Sequence, residues 1–155
     1  MARIHLVTEV NAPPQICFDA ARDVTVHLAS WPAHSAVAGV IAGPMQLGDE
    51  VTWRAPHFGI VWRMTSKIVE YDRPHKFVDA MQRGPFARWR HHHRFTATPS
   101  GTRMVDDVVF ASPFGPLGWM VDRIVLERFM TKLLLQHNIH VVRAAEAGVA
   151  TGAEH

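Results

Sequence analysis

The chain has 155 residues, of which 48% are hydrophobic and 19% charged, and a formal net charge of +2 with its 11 histidines neutral. This is enough apolar material for one sizeable core, so the expectation is a single domain over residues 1–145 and a flexible tail over 146–155. The weak charge balance gives no case for nucleic acid, no apolar run is long enough to span a bilayer, and the lone Cys17 permits no internal disulfide, which together set a cytoplasmic location as the expectation.

Residues 3–10 alternate in the manner of a first strand. Asn11-Ala12-Pro13-Pro14 offers a cap and prolines tolerated in a first helical turn, predicting a short helix to about Ala21 with Cys17 packed among its apolar residues. Asp23 is placed to cap a second short helix carrying Val24, Val26 and Leu28 and ending near Trp31-Pro32. From Val37 to Ala111 the turn signals Gly43-Pro44, Leu47-Gly48-Asp49, Pro56-His57-Phe58-Gly59, Asp72-Arg73-Pro74, Arg83-Gly84-Pro85 and Pro99-Ser100-Gly101 divide an antiparallel meander of six strands. Residues 117 to about 145 contain no proline and carry Leu117, Val121, Ile124, Val125, Phe129, Leu133 and Leu134 at helical spacings, predicting a long C-terminal helix.

The stretch Ala87 to Phe95 says most about function. Trp89, His91, His93 and Phe95 share one face of a strand, while Arg88, Arg90, His92 and Arg94 share the other and read as a solvated row. Pairing Thr98 with Gly101 across the next turn sets Phe95 opposite Met104, His93 opposite Asp106, His91 opposite Val108 and Trp89 opposite Phe110. Upstream, with Phe77, Asp79 and Met81 inward, Asp79 falls across from His91 and Phe77 across from His93. The outcome is a buried string, Asp79, His91, His93 and Asp106, over three neighbouring strands. Buried polar groups need partners, and these supply one another.

Strand, two short helices, six antiparallel strands and one long helix is the order of the α+β helix-grip fold, a curved antiparallel sheet of about seven strands wrapped around a C-terminal helix. The chain resembles the START-like, Bet v 1-like superfamily, also called SRPBCC or polyketide cyclase/dehydrase-like. Leu47-Gly48-Asp49-Glu50-Val51-Thr52-Trp53-Arg54-Ala55, His57-Phe58-Gly59, Thr65-Ser66-Lys67-Ile68, Pro113-Phe114-Gly115-Pro116-Leu117-Gly118 and His91-x-His93-x-Phe95 look like a bacterial ligand-binding subgroup of it. The resemblance covers about residues 3 to 143.

It implies a hydrophobic cavity between sheet and helix. Trp62, Met64 and Ile68 would face in, with Arg63, Thr65 and Lys67 out, and Trp53 and Val51 would meet Trp62 and Met64. The expected ligand contacts are Trp53, Trp62, Met64, Asp79, Met81, Trp89, His91, His93, Asp106, Val108, Phe110, Val121, Val125 and Phe129, with Leu133 beside them on the helix. The implied partner is a lipid, polyketide or aromatic metabolite, bound by a monomer or homodimer. The alternative is a cyclase, dehydratase or isomerase in which His93, oriented by Asp106, removes a proton next to a carbonyl. A third reading, His-x-His with a neighbouring carboxylate as a metal triad, runs against a superfamily that mostly works without metal, so no cofactor is expected. His34, His57, His75, His137 and His140 are expected to be exposed, with His57 and Phe58 alternatively gating the cavity.

Overall fold

The structure is a computed structural model that describes residues 1–152, apart from the side chains of residues 122 and 150–152. Strand β1 (Ala2–Val10) leads into helix α1 (Pro14–Ala21) and helix α2 (Val24–Ser30). Then come β2 (Ser35–Gly39), β3 (Glu50–His57), β4 (Ile60–Asp72), β5 (Lys76–Arg83), β6 (Arg88–Thr98) and β7 (Gly101–Ala111). Helix α3 (Gly115–Val121), a π turn (Asp122–Leu126) and helix α4 (Glu127–Gly152) end the described chain.

Pro13, not Asn11, occupies the cap position of α1 and Pro14 opens the helix, their fixed φ setting the first turn without a side-chain cap. Asp23 caps α2 as expected, its carboxylate accepting the Thr25 N–H at 2.8 Å. The strands form one antiparallel sheet in the order β1-β7-β6-β5-β4-β3-β2. Irregularities in the β2–β3 and β4–β5 pairings supply local bends, and the sheet curves around α4.

The β5–β6–β7 registers match the sequence reading: Asp79 opposes His91, Phe77 opposes His93, His93 opposes Asp106 and His91 opposes Val108. The β3–β4 register does not. Trp53 lies opposite Met64 and Val51 opposite Ser66, because the connection is a two-residue turn of Phe58 and Gly59, both at positive φ, and both strands run right up to it.

The π turn is the second departure. Its wider coil rotates the following residues, so Val125 is 46% exposed and Leu126, Met130 and Leu134 continue the inward stripe. Helix α4 packs against α1, α2 and β1 and runs on to Gly152, where a tail from residue 146 was expected. Val141 and Ala145 are fully covered, and a Cβ on Gly148 would stand 3.3 Å from Ile16, so close packing on α1 carries the helix past the expected end. Residues 153–155 of that tail lie outside the described residues. Among the described residues no helix is long and apolar enough to cross a membrane.

Two groups of buried side chains hold the layers together. Phe18, Phe77, Phe95, Met104 and Val141 centre one near α1, with Phe18 edge-on to Phe77 and Phe95. Ile4, Trp89, Val108, Phe110 and Leu134 form the other. Both supply walls to a single cavity, which is where the sheet and α4 do not meet.

Candidate functional site

The cavity has a volume of about 310 Å³, within the range of small-molecule pockets. Nine of the expected contacts line it: Trp53, Trp62, Met64, Asp79, Trp89, His91, His93, Val121 and Phe129. Leu133, also expected there, lines it too. Met81, Asp106, Val108, Phe110 and Val125 are not on its wall. Val108, Phe110 and Asp106 are sealed behind it in the sheet, Met81 packs against the Trp89 cluster, and the π turn carries Val125 outward.

The polar floor is a network of hydrogen bonds and close polar contacts over β5, β6 and β7. Asp106 Oδ1 accepts from His91 Nε2 at 2.9 Å and lies 3.2 Å from His93 Nδ1. Its Oδ2 accepts from Asn138 Nδ2 on α4 at 2.8 Å. On the cavity side, Asp79 Oδ2 accepts from His93 Nε2 at 2.8 Å and stands 3.7 Å from His91 Nδ1. The two imidazoles stack with centroids 3.6 Å apart, and Phe77 stacks on His93 at 4.0 Å. Strand geometry produces this directly, since residues two apart share a face and cross-strand partners fall beside them.

Burial opposes charge on Asp79, His93 and Asp106, yet the hydrogen bonds overcome it. The Asp106 carboxyl is held well below the usual range by His91 and His93, and Asp79 is lowered chiefly by its bond from His93. His93, desolvated but bonded to Asp106 and Asp79, is raised to about 9 and is an imidazolium at neutral pH.

A second group of polar side chains, not foreseen as a site, lines the cavity near α2. His27 stacks on Trp53 at 3.8 Å and meets Trp31 edge-on at 4.3 Å. His137, expected to be exposed, is buried, its Nδ1 3.1 Å from Ser30 Oγ. His34 and His57, also expected outside, line the mouth with their Nε2 atoms 2.8 Å apart. Desolvation keeps these rings neutral: His27 is well below its ordinary value, His34 and His137 fall to about 4, and His57 is lowered. His75 is exposed as expected, and His140 bonds back to the Gln136 carbonyl on the outer side of α4. Helical spacing could have revealed His137, which continues the stripe Leu126, Met130, Leu134 toward Val141.

Asp79, His91 and His93 offer ligand atoms within 4.8 Å of one another, the donor set of a two-histidine, one-carboxylate metal site. His91 Nε2 and both His93 nitrogens already face Asp106 or Asp79, whereas His91 Nδ1 stands 3.7 Å from Asp79, beyond hydrogen-bond reach.

The family described as polyketide cyclase / dehydrase and lipid transport matches residues 1–137. No curated protein matches the chain. Among solved structures, TTHA0849 from Thermus thermophilus is similar at 16% identity and TM-score 0.75, over 95% of this chain and 99% of that one. The Zhui aromatase/cyclase from Streptomyces sp. R1128 is similar at 16% identity and TM-score 0.74, over 96% of this chain and 95% of that one. Ara h 8.0201 is similar at 16% identity and TM-score 0.63, over 97% and 98%. At these identities the likeness to solved structures is one of fold.

Proposed function

The chain belongs to the polyketide cyclase / dehydrase and lipid transport family, and we propose that it binds a hydrophobic small molecule in the cavity between its sheet and α4. The observation that carries this reading is the cavity itself. Trp53, Trp62, Trp89, Phe129 and Leu133 form an apolar wall, and a single hydrogen-bonded floor offers Asp79, His91 and His93 to a bound molecule. Burying an aromatic ligand against such a wall is favourable by about 25 cal/mol per Å² of apolar surface removed from water. The floor then selects orientation.

A second reading, an enzyme of cyclase or dehydratase type, is favoured by one observation: His93 lines the cavity while bonded to two carboxylates. With its value raised to about 9, His93 holds a proton at neutral pH and suits the donor's part, not that of the base. Asp79 is the floor's carboxylate on the wall, so a ligand would meet the pair His93 and Asp79, with Asp106 acting through the rings behind.

The test is native mass spectrometry of untagged protein together with titration by a fluorescent apolar probe. The expected result is an organic adduct or saturable probe uptake that is lost in Ala55→Trp, which places an indole in the cavity from β3. A bare protein that takes up no probe would overturn the reading. Dehydration or cyclisation of an offered keto compound, lost in His93→Gln with folding intact, would promote the second reading over the first.

A further inference from the structure

We infer that the bound molecule is an uncharged hydroxy-aromatic compound with a second oxygen acceptor, and that the cavity turns away the matching carboxylates. The inference rests on the cavity being a ligand site, as proposed above, and adds the class of ligand.

Charge stoichiometry carries the first half. Two carboxylates and two imidazoles make up the floor, so even full protonation of both rings leaves it without a positive surplus for an anion. Arg22 is the only Lys or Arg on the cavity wall among the described residues. Its guanidinium is already taken, donating to Asp19 at 2.8 and 3.0 Å and to the Met45 carbonyl at 2.9 Å. Asp23 adds another carboxylate at the same edge. The remaining titratable groups on the wall, His27, His34, His57 and His137, are held neutral by burial. A ligand carboxylate would therefore lose its water and meet no counter-charge.

The polar atoms left for a ligand supply the second half. Asp79, with its side chain 20% exposed, is the part of the floor that can accept a hydrogen bond from a ligand hydroxyl. At the α2 side the indole Nε1 of Trp31 is buried and finds no partner among the described residues, although Trp31 lines the cavity. A buried N–H without an acceptor is unfavourable, and a ligand carbonyl would satisfy it. Trp53, Trp62 and Trp89 also line the cavity, and such an aromatic lining suits a planar ring system.

Isothermal titration calorimetry at neutral pH with naphthalene, naphthol, naphthoate and a hydroxyacetonaphthone tests this on one ring skeleton. Naphthol should bind at least about tenfold more tightly than naphthoate. Trp31→Phe, which keeps an aromatic ring and removes the donor, should weaken the hydroxyacetonaphthone several-fold more than it weakens naphthol. Naphthoate binding as tightly as naphthol overturns the charge argument while leaving a ligand cavity in place. A hydroxyacetonaphthone weakened by Trp31→Phe no more than naphthol overturns the acceptor argument. Failure of all four compounds, naphthalene included, overturns the cavity reading and this inference with it.

Discussion

Asp106 Oδ1 accepts a hydrogen bond from His91 Nε2 at 2.9 Å, with both groups enclosed between the sheet and α4. The carboxylate also takes the Asn138 amide on its other oxygen. In Asp106→Asn one amide oxygen could still serve His91, but the new NH₂ would face the Asn138 NH₂ and His93 would lose a counter-charge. Breaking a buried charged pair in this way typically costs about 3–5 kcal/mol. Urea unfolding should show a loss of that size, and the His93 titration followed by NMR should move down from about 9.

The same network fixes how stability varies with pH. His93 is raised from 6.5 to about 9, so its contribution is complete below pH 6.5 and is lost as the pH rises through about 9. His34 and His137 are lowered from 6.5 to about 4, so the fold favours their neutral forms. Their contribution is complete above pH 6.5 and is lost as the pH falls toward about 4. The midpoint of thermal unfolding should therefore peak near pH 6.5, with His93→Gln flattening the alkaline limb and His137→Gln the acid limb. A profile that rises steadily to pH 9 would contradict the assignment of charge to His93.

The floor was legible in the sequence because two independent constraints agree there. Period-two alternation chose the inward faces of β5, β6 and β7, and the one inward acid on each neighbouring strand fell beside an inward histidine. The β3–β4 register was not legible, since Phe gives no signal for the left-handed conformation that Phe58 adopts. Nor was the π turn, whose extra rotation takes Val125 out of the stripe and whose sequence, Asp122–Leu126, is ordinary helix material. The burial of His27 depends on Trp53 of β3, which the local sequence does not show, whereas His137, expected to be exposed, carried a usable signal in its spacing from Leu126, Met130 and Leu134.

Cys17 illustrates the inert end of cysteine chemistry. Its side chain is fully covered, its Sγ lies 3.6 Å from the Ala12 carbonyl, and burial pushes the thiol up from its ordinary value. A disulfide reagent should leave the native protein unmodified and react only at the rate of unfolding. Rapid modification without denaturant would mean that α1 opens from the sheet far more readily than its packing against Phe77 and Phe95 suggests.

Phe58 sits at φ 55 on the tip of the β3–β4 hairpin, 63% exposed, with its ring 4.8 Å from Phe129 on α4. A non-glycine residue in this conformation costs about 1–3 kcal/mol, whereas Asn before Gly is the favoured pair for such a turn. His57 beside it reaches Phe129 at 5.0 Å and His34 at 2.8 Å, so the tip borders the cavity beside α4. If the strain is kept because the ring seals the cavity mouth, Phe58→Asn will separate stability from retention. Its unfolding midpoint should stay level or rise, and stopped-flow release of a bound fluorescent probe should accelerate several-fold. An unchanged release rate would reduce Phe58 to a strained turn residue and remove the hairpin tip as a gate.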